Sequence, residues 1–163
     1  MLVQQNINGS KYFNRSWEEF KAGFNDSKGN YWIGNERLSQ LTLTDRYTLR
    51  FELQQRNLNW YWAEYSYFTV LGESRNYTLL VSGYSGNAGD ALSYHNRMMF
   101  TTYDRDNDPW KSSSYNDNCA VALGAGFWYN GCSSCRVNGV RSRGLDFSWY
   151  GLRLRTSRMW LTC

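Results

Sequence analysis

Hydrophobic and polar positions follow a helical period near the start of the chain. Trp17, Phe20 and Phe24 recur at the spacing of one helical face in NRSWEEFKAGFN, and Ser16 precedes them as a candidate N-cap. The segment NERLSQLT, residues 35–42, is a candidate for a second, shorter helix. The beginning of the chain therefore predicts two short helices.

After these helices the period changes to two. Leu49, Phe51 and Leu53 alternate with polar residues in YTLRFELQQ, which is typical of a half-buried strand. Residues 59–71 and 76–86 continue in the same way, and GESRN between them suits a hairpin connection. Together the segments predict an α+β fold, with a mainly antiparallel sheet and short helices packed against it.

Regular patterns fade from Gly83 onward, where a long stretch is rich in Gly, Ser, Asn and Asp. Irregular segments of this length are uncommon inside compact domains, and those that exist tend to be functional. We expect something other than a hydrophobic core to order this stretch. Near the end, Leu152 and Leu154 alternate with polar residues in SWYGLRLRTSRMWL, which predicts one last strand.

The chain has 163 residues, enough for one domain with a hydrophobic core. No internal repeat or linker divides it, so we predict a single domain over residues 1–163, with a helix-and-sheet part, 1–82, and a loop-rich part, 83–163. Aromatic residues make up 18% of the chain although its mean hydropathy is -0.66. This combination favours a folded extracellular domain over a disordered chain.

Targeting signals give little guidance. No apolar run is long enough to span a membrane, so no membrane span is expected. The opening segment MLVQQNINGS lacks the apolar core of a signal peptide. If the protein is secreted, we expect the signal on sequence outside this chain.

The charge balance is mildly basic, with 18 basic and 14 acidic residues and a formal net charge of +4. Arg136, Arg141 and Arg143 form the densest basic stretch, RVNGVRSRG. A nucleic-acid-binding protein would concentrate more positive charge on one face, so no nucleic-acid partner is expected. The favoured interpretation is a solvated basic edge, and polyanionic glycans or lipids remain alternatives.

The four cysteines all lie in the last third of the chain. A zinc site is disfavoured, because only one CxxC is present and the single histidine is far away in sequence. Four N-glycosylation sequons occur in addition, and with the cysteines they favour a secreted glycoprotein. The sequons begin at Asn8, Asn14, Asn25 and Asn76, and the cysteines are Cys119, Cys132, Cys135 and Cys163.

An acidic segment, TTYDRDNDPW, carries Asp104, Asp106 and Asp108 at alternating positions. Calcium binds six to eight oxygen atoms, and alternating carboxylates on a tight loop can converge on one point. The EF-hand pattern is absent, because no Gly or Glu follows at the required spacing. From these residues alone, a solvated acidic turn is the favoured interpretation and a metal loop is the alternative.

No catalytic constellation is evident. His95 is the only histidine, and it lacks a partnered nucleophile motif. The GxSxG, HExxH and P-loop motifs are also absent from the sequence. We therefore predict that the chain is not an enzyme and that His95 is structural.

The chain resembles the fibrinogen-related domain, the C-terminal globe of fibrinogen chains, ficolins, tachylectins and angiopoietin-like proteins. The matching stretches run in the family's order: NGSKYFNRSWEEFKAGF, YWIGNERLSQLT, YTLRFEL, AEYSYFTV, YSGNAGDALSYHNRMMFTTYDRDND and NCAVALGAGFWYNGC. The resemblance begins after the family's first disulfide. It therefore implies that the family's small N-terminal subdomain is missing from this chain.

The resemblance reverses the interpretation of the acidic segment. In fibrinogen-related domains this loop holds Ca²⁺ through two carboxylates, which match Asp106 and Asp108. Two backbone carbonyls complete the protein's share, and these match Trp110 and Ser112. Asp104 is then expected to be an outer or capping residue.

The resemblance also implies a disulfide between Cys119 and Cys132 and, before the second cysteine, a cis peptide bond after Gly131. In acetyl-binding relatives this turn offers N–H groups to the ligand's carbonyl, and aromatic rings surround its methyl group. The implied ligand-binding residues are Tyr129, Gly131, Cys132 and Ser133.

The sequence departs from the family at several of these positions. Ser133 stands where many relatives have histidine, and Arg141 and Ser142 stand where a second aromatic wall is expected. Ala122 and Leu123 replace the acidic and amide groups that fibrin-type peptide binding requires. The acetyl pocket is therefore carried over only in part.

The sequence thus predicts a secreted, calcium-dependent recognition module, lectin-like, which binds acetylated glycans in innate defence. The first alternative is a module that binds extracellular proteins, and the second is a shortened paralogue with a purely structural role. Cys135 and Cys163 are expected either to bond to each other or to link subunits of a homo-oligomer.

Overall fold

The structure, a computed structural model, describes residues 1–112, 117–142 and 144–163. Arg143 of the basic stretch therefore lies outside the described residues. The strands are β1 Leu2–Ile7, β2 Phe24–Asn25, β3 Tyr31–Trp32, β4 Tyr47–Gln55, β5 Trp60–Val70, β6 Leu79–Gly86, β7 Cys135–Arg136, β8 Ser148–Trp149 and β9 Leu152–Thr162. The helices are α1 Trp17–Ala22, α2 Asn35–Thr44 and α3 Cys119–Leu123, with 3-10 turns at Lys11–Phe13, Glu73–Arg75 and Leu92–His95.

The strands form an antiparallel sheet in the order β2-β3-β1-β9-β4-β5-β6, and β8 joins β7 to β9. In its centre, Phe51 lies opposite Ala63 on one side and Met159 on the other, and all three are fully buried. Helix α2 packs against β5, and helix α1 packs against α2. The predicted α+β fold with a mainly antiparallel sheet is confirmed. Within the described part of the chain, no helix is both long and apolar enough to cross a bilayer.

Helix α1 is shorter than the predicted segment. Ser16 caps it as predicted, and Glu19 completes a reciprocal capping box with the Ser16 backbone. The helix stops at Gly23, whose φ of 89° favours glycine and whose added Cβ would lie 2.7 Å from the Ile33 carbonyl oxygen. Phe24 consequently belongs to β2, and its assignment to the helix was wrong.

Two predicted strands also have different limits. The segment predicted from residue 76 becomes a strand only at Leu79, because Asn76 and Tyr77 have positive φ values of 50° and 51°. The predicted last strand is divided by a turn at Tyr150, after which β9 folds back onto β8. Side-chain alternation alone does not reveal such backbone reversals.

Strand β1 has no counterpart in the sequence prediction. Its buried positions include Gln4 and Asn6, both fully buried, so the strand does not show a hydrophobic face. The side-chain amides of both residues donate to the Val137 carbonyl at 3.0 Å. These bonds pair the buried amide nitrogens and attach the loop-rich part of the chain to the sheet, although the Asn6 side-chain oxygen has no partner among the described residues.

A hydrophobic core also orders the loop-rich part, contrary to the expectation from sequence. Phe100, Phe127 and Trp128 are buried, and the Phe100 and Trp128 ring centroids lie 5.2 Å apart. The indole N–H of Trp128 donates to the Tyr77 carbonyl at 2.7 Å. Aromatic side chains scattered without a period thus provide the packing that the sequence pattern did not indicate.

Candidate functional site

The turn that carries the family resemblance is joined covalently to helix α3. Cys119, the first residue of α3, forms a disulfide with Cys132, and the Gly131–Cys132 peptide bond is cis. Asn118 caps the helix by accepting from the Ala120 and Val121 N–H groups at 2.8 and 3.2 Å. The disulfide therefore fixes the turn to a helix whose start is held by its own cap.

His95 contacts the chain on both sides of the same turn. The ring is fully buried, and its Nδ1 lies 2.7 Å from the Trp128 carbonyl oxygen, while Nε2 lies 3.2 Å from the Ser134 backbone nitrogen. A neutral imidazole with the proton on Nδ1 satisfies both contacts. Burial lowers the pKa of His95 to about 4, although the bond to the Trp128 carbonyl acts in the opposite direction. His95 thus has a structural position between two loops.

Asp104 contacts the start of helix α1, whereas Asp106 and Asp108 accept hydrogen bonds from N–H groups within the acidic loop. Its carboxylate accepts from the Trp17 N–H at 2.9 Å and from the Thr102 hydroxyl at 2.7 Å. The Trp17 N–H is one of the unpaired donors at the start of α1. This position agrees with the capping role expected for Asp104.

Asp108 connects the acidic loop to the disulfide. One carboxylate oxygen accepts from the Trp110 N–H at 3.0 Å, and the other accepts from the Cys119 N–H at 2.9 Å. Asp106 lies beside it and accepts from the Asp108 N–H at 3.2 Å. Burial and, secondarily, the Asp106 charge raise the pKa of Asp108 to about 6.

The chemistry of this loop fits a hard cation. Asp108 is 6% exposed, and neither it nor Asp106 takes part in an ion pair within the described part of the chain. No three His, Cys, Asp or Glu side chains among the described residues are placed to share one ion. Two carboxylates would therefore need backbone carbonyls and water to reach the coordination that Ca²⁺ prefers. The implied set of two carboxylates and the Trp110 and Ser112 carbonyls remains a prediction.

The implied ligand-binding residues differ in their exposure. Gly131 is exposed, whereas Tyr129 is 3% exposed and its hydroxyl donates to the Ala125 carbonyl at 2.5 Å. Cys132 is half-buried, and the half-buried Ser133 uses its hydroxyl on the Cys135 carbonyl. Tyr129 thus lies in the core beneath the turn, and its assignment to a pocket wall remains a prediction.

Tyr94 is an aromatic residue at the turn that the sequence analysis missed. The side chain is 47% exposed, and its hydroxyl lies 3.8 Å from the point that a Cβ on Gly131 would occupy. The Asn130 amide donates to the Tyr94 carbonyl at 2.9 Å, and the ring packs edge-on against His95. The only sequence feature that marks Tyr94 is its position directly before His95, the single histidine.

The remaining cysteines are not bonded to each other. Cys135 is a buried free thiol, and Cys163 is an exposed free thiol near the end of β9. Burial raises the pKa of the Cys135 thiol well above its usual range. The alternative of an intrachain pair is therefore wrong for this structure. Only Cys163 is placed where it could reach another molecule.

The chain matches the family model of the fibrinogen beta and gamma chains, C-terminal globular domain, over residues 1–160. Human ficolin-3 is 42% identical over 140 residues, which cover 85% of this chain and 45% of that protein. The chain spans between 17% and 48% of the length of the curated relatives it matches.

Two solved structures share its fold. The fibrinogen-like globe domain of human ANGPTL2 has a TM-score of 0.87 at 33% identity, with 99% of this chain and 78% of that chain covered. Lamprey fibrin D-dimer, solved with the peptide ligand Gly-His-Arg-Pro-amide, has a TM-score of 0.87 at 27% identity, covering 98% and 60%. The chain therefore belongs to the family of the fibrinogen C-terminal globular domain.

Proposed function

We propose that the chain is a secreted, calcium-dependent recognition module whose cystine turn binds acetylated glycans. The observation that carries the proposal is the Asp108 carboxylate, which bonds to the Trp110 and Cys119 N–H groups. Asp108, which is expected to bind calcium, thus forms a hydrogen bond with Cys119, one of the two cysteines of the disulfide at the expected ligand site. The resemblance implies an acetyl-binding turn, and this chain has two features expected of it, the Cys119–Cys132 disulfide and the cis Gly131–Cys132 bond.

Asp106 and Asp108 would hold the ion together with the carbonyls of Trp110 and Ser112. When bound, Ca²⁺ would supply the positive charge that this pair of carboxylates lacks. Asp108 holds the Cys119 N–H, and Cys119 holds the turn through its disulfide. If Ca²⁺ orders the acidic loop, the Asp108–Cys119 hydrogen bond and the Cys119–Cys132 disulfide would therefore restrain the turn as well.

The exposed part of the turn offers a small amphipathic surface. Gly131 has no side chain, so a ligand carbonyl can approach the backbone there. Tyr94 supplies an exposed ring beside it, suitable for the methyl of an acetyl group. Such a shallow site predicts weak binding per domain. Several copies, linked for example through Cys163, would then be needed for strong attachment to a surface.

Calcium binding is tested by calorimetry and by thermal melting. At a calcium concentration about 100 times the Kd, we expect about 2.7 kcal/mol of stabilisation. In a domain of this size this raises the Tm by roughly 5–10 °C. The absence of binding heat together with an unchanged Tm would refute the calcium part of the proposal.

Ligand binding is tested on a glycan array with calcium and with a chelator. We expect N-acetylated sugars to be bound only with calcium, and Tyr94→Ala to reduce that binding at least about tenfold. Tyr67→Ala is the matched control, because Tyr67 is 48% exposed, Tyr94 is 47% exposed, and Tyr67 lies on β5 outside the acidic loop and the cystine turn. Equal losses in both variants would contradict the assignment of the turn.

Peptide binding is the second candidate, favoured by the similarity to lamprey fibrin solved with its peptide ligand. Ala122 and Leu123 offer no carboxylate to a basic peptide terminus, which weighs against this candidate. Calorimetry with Gly-His-Arg-Pro-amide separates the two. Binding of the peptide without binding of acetylated sugars would establish the protein-binding alternative.

A further inference from the structure

We propose a second binding site, for sulfated glycans, at the end of the sheet where three arginines surround one cavity. Arg56, Arg141 and Arg155, with Asn8, line a cavity of about 350 Å³. None of these residues belongs to the calcium loop or the cystine turn, and Arg141, which the resemblance aligned with the second wall of the acetyl pocket, lines this cavity. The site is therefore independent of the function proposed above.

The backbone brings two of the arginines together. The Arg56 N–H, just after β4, donates to the Arg153 carbonyl on β9 at 3.1 Å. The Asn8 N–H, just after β1, donates to the Arg155 carbonyl two residues further along β9 at 2.8 Å. Arg153 and Arg155 are two residues apart on β9, so their side chains point to the same face of the sheet. The ends of three neighbouring strands thus place Arg56, Arg155 and Asn8 around one point.

The third arginine is fixed by a close backbone approach. The Arg141 N–H donates to the Gly9 carbonyl at 2.6 Å. Gly9 has a φ of 61°, and a Cβ there would lie 2.7 Å from the Arg141 nitrogen. Glycine at this position therefore permits the loop to lie against the end of β1, where Arg141 reaches the cavity.

Among the described residues, no carboxylate forms an ion pair with the three cavity arginines. The ion pairs among the described residues use Arg15, Lys21, Arg50 and Arg158 as their cations, and none of the three cavity arginines. All three are exposed, and so is the neighbouring Arg153. A local group of unpaired guanidinium groups contrasts with a net charge of only +4 for the whole chain.

The chemistry of the cluster selects a sulfated polyanion. Guanidinium groups bind sulfate and phosphate oxygens through paired N–H donors. Exposed contacts of this kind are weak one at a time, but a linear polyanion makes several and releases bound counterions. Proteins that bind single-stranded nucleic acids add aromatic rings on which the bases stack, and the four residues that line this cavity include none. A sulfated glycan needs no such ring.

The test compares two triple variants with the same change in charge. Arg56→Gln, Arg141→Gln and Arg155→Gln lower the formal net charge by three, from +4 to +1. The control is a second triple variant, with substitutions at exposed arginines elsewhere that form none of the ion pairs described above. It carries Arg37→Gln, Arg46→Gln and Arg75→Gln.

Binding of a heparin-derived hexasaccharide is measured by calorimetry near physiological salt with a chelator present. The cavity variant should bind at least about tenfold more weakly, and the control should change less than about threefold. Far-ultraviolet circular dichroism and melting check that both variants fold, since exposed substitutions normally alter stability little. The chelator separates this site from the calcium-dependent one.

Four results would overturn the proposal. The first is no binding of the hexasaccharide by the unmodified chain, and the second is an equal loss in both variants, which would indicate net charge alone. The third is equal or tighter binding of an oligothymidylate of similar charge, which would assign the cluster to nucleic acid. Binding that persists with a desulfated hexasaccharide would show that sulfate is not the recognised group and would also refute it.

Discussion

Acidification should destabilise the folded chain through its single histidine. His95 is buried, its Nδ1–H donates to the Trp128 carbonyl and its Nε2 accepts from the Ser134 N–H. A protonated imidazole could no longer accept that bond and would place a charge among buried groups. The perturbation is therefore a fall in pH from about 7 to about 5, and the part of the response that is due to His95 is isolated by comparison with a variant that lacks the imidazole.

The magnitude follows from the difference in pKa between the two states. Burial lowers the pKa of His95 from 6.5 to about 4 in the folded chain, whereas the unfolded chain keeps the ordinary value. Between these values the unfolded state binds a proton and the folded state does not, so stability falls as the pH falls. The loss is about 2 kcal/mol by about pH 5 and about 3 kcal/mol by about pH 4, and it is complete only below that pH.

Two measurements check this prediction. Urea denaturation near pH 7 and near pH 5 should show about 2 kcal/mol more loss in the unmodified chain than in His95→Gln. Carboxylates that titrate in the same range contribute to both proteins and cancel in the difference. Because the chain has one histidine, the imidazole NMR signals report its pKa directly. An imidazole that titrates near its ordinary pKa in the folded protein, or equal losses in both proteins, would refute the reasoning.

Three further predictions concern the site and its surroundings. Asp106→Asn should weaken calcium binding at least about tenfold in calorimetry, whereas Asp45→Asn, with the same change in charge, should not; equal effects would place the ion elsewhere. Asn118→Ala should cost about 1–2 kcal/mol in urea denaturation, because it removes the α3 cap and the amide's bonds to two carbonyls, and a loss under about 0.5 kcal/mol would contradict this. Iodoacetamide should modify Cys163 but not Cys135 until denaturant is added, and equal labelling of the native chain would contradict the buried position.

Some elements could be predicted because their signal is local. In β4 the alternation of Leu49, Phe51 and Leu53 corresponds to a strand with one fully buried face. Ser16 could be predicted as a cap because it directly precedes the helical period, and its partner in the structure, Glu19, lies within the same turn. Strand β1 could not be found in this way, since its buried side chains at Gln4 and Asn6 are polar and donate hydrogen bonds to a segment more than 130 residues away.

The sequence alone determined the central strands, the helices α1 and α2, and the family. The side-chain period and the long series of matching motifs are visible without knowledge of the tertiary contacts. Only the tertiary structure decided which aromatic ring faces solvent at the turn, Tyr94 rather than Tyr129, and that Asp108 reaches Cys119 while Asp104 caps α1. The physical reason is burial. A local pattern gives the direction of a side chain from its own segment, but exposure, hydrogen-bond partners and pKa depend on what a distant segment places over it.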